Sequence, residues 1–254
     1  MGLIRRHSAF KRAGGYSAEV QAVLNRFTGS EALTAAEILK VQTFVDGLVL
    51  DSMWSLIDEF WWFRNIGTEA KSLIGFKNFT ATKIGSPVWS SSGWGTFSAG
   101  NMLNSGFNVS FNGYNFTQNN AMIGTWGNIT GVGYLCGAYN IPGYGYVLMS
   151  GQSGNQYMNT TVGGATGNLG SNAFKSLVRT ASNLTRGYVN GVQAGGDITQ
   201  LSSARPNLNL YIGGINNNGV SAGAYSGVVG CQIIGAGVGI DHSQLNSRIV
   251  TLLS

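Results

Sequence analysis

The hydrophobic pattern of the chain changes its period once, near Gly67. Before that point apolar residues recur at helical spacing. Val20, Leu24 and Phe27 share one face behind Ser17, which can cap a helix that Gly29 stops. Thr34 and Glu37 form a capping-box pattern, in which hydroxyl and carboxylate each accept a hydrogen bond from an orphan amide. They open a second helix with Ile38, Val41, Val45 and Leu48 in line. Asp51 is placed to cap a third helical segment carrying Met53, Trp54, Ile57, Phe60 and Trp61. The spacing thus predicts three short helices within 16–64. The aromatic run 60–63 reads as core packing, because large rings supply most of the burial a small segment can have.

After Gly67 short alternating runs are separated by Gly, Asn and Ser clusters. Strands are predicted over 76–84, 107–111, 121–126, 133–136, 144–149, 156–161, 174–180, 185–189, 208–212 and 227–234. Such spacing predicts a mainly β protein, an antiparallel two-sheet jelly-roll sandwich preceded by a small helical segment. Asn190-Gly191 is a strong hairpin signal, since both turn positions require positive φ. Asp241 and Gln244 repeat a capping pattern ahead of Leu245, Ile249 and Leu252, so a helix should end the chain. The expected organisation is a basic arm over 1–15, a helical attachment segment over 16–66, and the sandwich with its terminal helix over 67–254.

Charge narrows the chemistry. Of the ten acidic residues, only Asp197 and Asp241 lie beyond residue 69. Glycoside hydrolysis needs paired carboxylates and hard metal ions need clustered ones, so no enzyme activity, metal or cofactor is expected. A triad could draw only on His242 with Asp197, and no G-x-S-x-G elbow is present. Cys136 and Cys231 are either buried thiols or one staple, and without a Cys/His cluster zinc is excluded. The net charge of +5 is concentrated in the arm, where Arg5, Arg6, Lys11 and Arg12 have no acid among them. That pattern fits an anchor on an acidic protein surface, and nucleic acid is disfavoured. No secretory signal is evident at the start, and the apolar run 48–63 is broken by Asp51, Asp58 and Glu59, so no membrane span is expected.

The middle of the chain carries the candidate contact residues. Tyr114, Trp126, Tyr139, Tyr144, Tyr146 and Tyr157 are interleaved with amides, among them Asn140. Aromatic planes match the C–H faces of sugars, and amides match their hydroxyls, without charge. The alternative is that these rings fill the sandwich core.

From residue 173 onward the order of features resembles a known group. A strand over 174–179 is followed by the hairpin Arg186-Gly-Tyr-Val-Asn-Gly191, the strand Asn209-Leu-Tyr-Ile-Gly213, Asn216-Asn-Asn-Gly219, Tyr225-Ser-Gly227, a further strand and a short helix. This order is similar to the concanavalin A-like, laminin-G-type (LamG-like) jelly roll of bacteriophage tail and head-fibre proteins. The segment Met53-Trp54-Ser-Leu-Ile57-Asp58 resembles the helical lead-in of phage members. The resemblance implies two sheets with a concave face used for carbohydrate or protein contact. Many relatives hold a structural calcium through acidic residues, but Asp197 reads as a turn residue and Asp241 as a cap, so that site is expected to be absent.

The function expected from all this is a virion structural protein, a tail-fibre, head-fibre or head-surface component assembled in the host cytoplasm. It would be a homo-oligomer, with a trimer favoured, that displays the jelly roll for adhesion to host-surface glycan. The alternative is a capsid decoration or fibre-assembly protein whose β-domain contacts only other virion proteins.

Overall fold

The computed structural model describes residues 15–112, 114–128, 132–140, 145–151, 155–161, 163–165 and 172–254. The basic arm with Arg5, Arg6, Lys11 and Arg12, and also Tyr144, lie outside these residues.

Helix α1 (Ala18–Leu24) is capped by Ser17, whose hydroxyl accepts from the Val20 amide. Helix α2 (Ala35–Leu50) opens with the complete capping box of Thr34 and Glu37. The third predicted helix is corrected. After one 3-10 turn over Trp54–Leu56, residues Ile57–Trp62 form strand β1. Every residue of β1 is buried on both sides, so its apolar run lacks the alternation that marks a half-exposed strand. A short α3 (Glu69–Leu73), capped by Thr68, follows it.

The strand predicted over 76–84 is also corrected, because only β2 (Thr82–Ile84) is extended there. Residues 77–79 instead turn around the Glu59 carboxylate, which accepts from the amides of Lys77, Asn78 and Phe79 as well as Phe60. Burial pushes this carboxyl above its ordinary range, and the four amide donors pull the other way.

The next strands are β3 (Val88–Ser90), β4 (Gly93–Gly95), β5 (Met102–Asn108) and β6 (Ala121–Gly127). Then come β7 (Tyr134–Tyr139), β8 (Tyr146–Ser150), β9 (Asn155–Thr160) and β10 (Gly164–Ala165). The long hairpin is β11 (Ala173–Ala181) with β12 (Leu184–Val189), and β13 (Val192–Gln193) continues it. The chain ends through β14 (Asn209–Ile212), β15 (Ile215–Asn217), β16 (Val220–Ala222), β17 (Val229–Gly235) and helix α4 (His242–Leu253). The Asn190-Gly191 turn has φ of 49° and 82°, as its sequence requires. Gly191 also lets α4 start against it, since a Cβ there would come within 2.6 Å of Ser243 Cα.

Among the described residues the strands form two sheets, of eight and nine strands. The first runs β13-β12-β11-β6-β17-β4-β3, with β1 also paired to β17. The second runs β10-β9-β8-β7-β14-β5-β2, with the β15–β16 hairpin attached to β7. Pairing is antiparallel except between β15 and β7. The protein is a mainly β two-sheet sandwich with a short helical lead-in and a terminal helix.

Two cores result. Between the sheets lie Trp61, Phe63, Leu103, Ile123, Cys136, Val147, Met158, Leu177 and Ile234. On the far side of the first sheet, Phe60, Trp62, Met122, Phe174, Val178 and Ile233 meet Val20, Val41, Phe44, Val45, Leu245 and Ile249 of the helices. Each fully buried large side chain contributes on the order of 2 kcal/mol, so this second core is a major part of the fold. Arg248 of α4 runs across Gly47 of α2 to reach Asp51 in a two-pronged pair at 2.9 and 3.2 Å. The segment over 16–66 is therefore knitted into the body, both by β1 and by this helical layer.

Both cysteines are buried free thiols, and burial pushes each up to about 12. Lys175, also fully buried, points between the sheets and donates to the Ser150 carbonyl at 2.9 Å. Desolvation brings its ammonium down to about 7.

Candidate functional site

Alternation along the second sheet sorts its side chains. Cys136, Ala138, Val147, Met149 and Met158 enter the core between the sheets, so Tyr139, Tyr146, Leu148 and Tyr157 face outward. The cross-strand register places Tyr211, Gly137, Leu148 and Tyr157 in one row over β14, β7, β8 and β9. Gly137 leaves room for Ile215 and Leu148 to close over it; a Cβ there would meet either at 2.5 Å.

Beside this row three predicted contact residues come together. The Tyr139 and Tyr146 rings lie 4.5 Å apart at 69°, and Tyr146 and Tyr157 lie 5.2 Å apart at 60°. Both pairs are edge-to-face, the arrangement the ring quadrupoles favour. All three rings are half-buried, and Asn140, also half-buried, follows directly. Gly163 backs the group, since a Cβ there would come within 2.6 Å of the Tyr157 ring. Burial raises the Tyr146 phenol above its ordinary range, and the neighbouring Tyr139 and Tyr157 add to the shift. The hydroxyls line an aromatic ledge and can both donate and accept hydrogen bonds. Tyr134 is a further member, half-buried, whose phenol is raised by burial and then by Tyr157. Strict alternation from Tyr139 would have sent Tyr134 inward with Cys136 and Ala138. The register shift between Tyr134 and Cys136 breaks that parity, so the sequence carried no signal for it.

The remaining candidates are elsewhere. Trp126 is 7% exposed and belongs to the first sheet, where the Arg64 guanidinium lies 4.5 Å over its ring. Tyr114 is 89% exposed, in a loop held by Asp58, which accepts from the Asn115 and Phe116 amides. No ring contact joins either to the tyrosine ledge among the described residues.

The two late acids are engaged separately. Asp197 takes a two-pronged pair with Arg186 at 2.8 and 2.9 Å, which holds its carboxyl below the ordinary range. Asp241 accepts from the Gln244 amide as the cap of α4. His242 meets the Ser176 hydroxyl at 3.1 Å and stacks on Tyr188 at 3.8 Å, buried beneath the helical layer. Among the described residues no group of three His, Cys, Asp or Glu could hold a metal ion. Nor is any helix there long and apolar enough to cross a membrane.

No protein-family model matches the chain. None of the curated proteins compared with it matches either. Solved structures do. A Trypanosoma rangeli sialidase in complex with 2,3-difluoro-KDN superposes with a TM-score of 0.56 at 14% identity, covering 78% of this chain and 32% of that one. The same enzyme with 2,3-difluorosialic acid, a covalent intermediate, gives 0.53 at 13%, covering 85% and 39%. Domain 4 of AbnA, an extracellular arabinanase from Geobacillus stearothermophilus, in complex with arabinotriose, gives 0.41 at 14%, covering 75% and 98%, and supports no inference. The chain spans between about a third and two fifths of the sialidase chains it matches. At these identities the likeness shows the β fold alone.

Proposed function

We propose that the protein is a non-catalytic adhesion module of a virion surface, a fibre or head-surface component whose second sheet contacts neutral host-surface glycan. The observation that carries this reading is the ledge of Tyr139, Tyr146 and Tyr157 on an outward sheet face, with Asn140 beside it. Sugar rings dock on such faces through C–H contact, while phenol and amide groups take the hydroxyls. The separate engagement of Asp197 and Asp241 supports binding without turnover. The placement on a phage particle rests on the resemblance of the 173–254 feature order to phage fibre jelly rolls.

A second reading, in which the protein contacts other virion proteins or copies of itself, is favoured by one observation. Leu39 and Leu50 on α2 are 63% and 66% exposed, and Val250 on α4 is 50% exposed. Both readings are tested together by a glycan array probed with the full chain and with Tyr146→Ala. Adhesion predicts a defined set of neutral glycans, bound at least roughly tenfold more weakly by the variant. If no glycan is retained, or if the variant binds equally, the tyrosine ledge is not an adhesion surface.

A further inference from the structure

Six arginines lie among the described residues, and five of them have acceptors for their guanidinium groups. Arg26, Arg179 and Arg205 donate to backbone carbonyls, while Arg186 and Arg248 pair with Asp197 and Asp51. Arg64 has neither a carbonyl nor a carboxylate among the described residues. Its guanidinium carbon instead lies 4.5 Å over the Trp126 ring, half-buried, with its forked donors unspent among the described residues. Trp126 is held in turn by Gly230, where a Cβ would come within 2.4 Å of the indole.

This arginine lines a pocket of about 260 Å³ with Ser92, Trp126, Asn128, Asn172 and Val228, at the end of β6 where the loops from β1, β4 and β17 converge. Among the described residues no carboxylate lines it, and Arg64 is the one cationic side chain there. The volume is slightly below the roughly 300 Å³ at which pockets for drug-sized ligands begin, which suits one ring rather than a chain of them.

We propose that this pocket binds one carboxylate-bearing sugar ring, a hexuronate or similar sugar acid. Arg64 takes the carboxylate through two parallel N–H···O bonds, the strongest geometry open to a guanidinium. Trp126 positions Arg64 by stacking beneath it. The hydroxyl of Ser92 and the amide of Asn172 offer both donors and acceptors, as sugar hydroxyls require. A bare inorganic anion, which only accepts, would leave the Asn172 amide oxygen unanswered. One cation also matches a carboxylate better than a doubly charged phosphate. The site lies on the first sheet, so it stands apart from the tyrosine ledge, and either can fail without the other.

The test is calorimetric titration of the full chain with sodium glucuronate, glucose, sodium acetate and inorganic phosphate at constant ionic strength. Glucuronate should bind, and glucose, acetate and phosphate should each bind at least roughly tenfold more weakly. Arg64→Met should weaken glucuronate by roughly tenfold or more, and Arg64→Lys by less, since a point charge loses the forked geometry. Asn172 has φ of 53°, so Asn172→Gly removes its amide without backbone strain. That variant should weaken glucuronate severalfold even if Arg64→Met fails to fold. Tyr146→Ala should leave glucuronate affinity unchanged. Absent binding of glucuronate, equal binding of acetate or phosphate, or insensitivity to both Arg64→Met and Asn172→Gly would overturn the proposal.

Discussion

The outer faces of the two sheets, built from strands of similar length, are finished in opposite ways. The first sheet presents Phe60, Trp62, Phe174 and Ile233 to three helices and is buried as deeply as the sandwich interior. The second presents half-buried phenols, with a short hairpin closing over Leu148 and Gly137. Where a face is to be covered, the chain uses mostly hydrocarbon and aromatic side chains. Where it is to meet solvent or a ligand, the chain uses rings that carry a hydroxyl. The covered face supports the fold, and the open face is free to be altered with little structural cost.

The sharpest way to break that contrast is to open the covered face. Phe60 is fully buried, with its ring 4.7 Å from Phe44 and 5.0 Å from Phe76. Phe60→Ala should cost about 3–5 kcal/mol of unfolding free energy, read from urea denaturation. An effect below about 1 kcal/mol would mean that the helical layer is not part of the cooperative unit.

Acid should loosen the same face. Burial holds His242 down at about 4, despite the nearby Asp241, against about 6.5 in an unfolded chain. The unfolded state binds the extra proton between those values, so stability falls as pH drops through that window, by up to about 3 kcal/mol in all. Urea midpoints at pH 7, 5.5 and 4 should show the decline, and His242→Phe, which keeps a ring on Tyr188, should remove its histidine component. The same decline in the variant would assign it to other groups.

The smallest structural effect is expected on the open face. Tyr146→Ala should shift unfolding by roughly 1 kcal/mol while weakening adhesion at least roughly tenfold, because among the described residues its ring meets two other half-buried tyrosines edge to face. A loss as large as that of Phe60→Ala would show that the ledge is core rather than surface.

Local chemistry was legible in the sequence wherever a few adjacent residues decide the outcome. Thr34 with Glu37, Asp241 with Gln244, and Asn190-Gly191 each carry their whole mechanism within four positions. The first and last formed as expected, while at Asp241 the cap formed without the reciprocal bond from Gln244. The grouping of Tyr139, Tyr146 and Tyr157 was half legible. Alternation gives a face within each strand, but only pairing across β7, β8 and β9 brings the rings together. Trp126, of the same composition class, was carried to the other sheet by pairing with Phe174 and Cys231. β1 was misread because a run buried on both sides has neither period, so Phe60 and Trp61 fit a helix as well as a strand. Arg64 gave no local signal at all. Its interest comes from what is missing around it, and that is a property of the folded pocket.

The pairing of β1 with β17 also bears on how the chain is made. Ile57 faces Gly235, and the apolar stripe of α2 finds Leu245 and Ile249 only in the last helix. These are contacts of very long sequence separation, whose loop-closure cost must be met before they contribute anything. During synthesis the early helices emerge with Val41, Val45 and Leu48 bare and wait until almost the whole sandwich has left the ribosome. Folding should therefore be slow and late, and the nascent N-terminal third should depend on chaperones to stay soluble until β17 and α4 arrive.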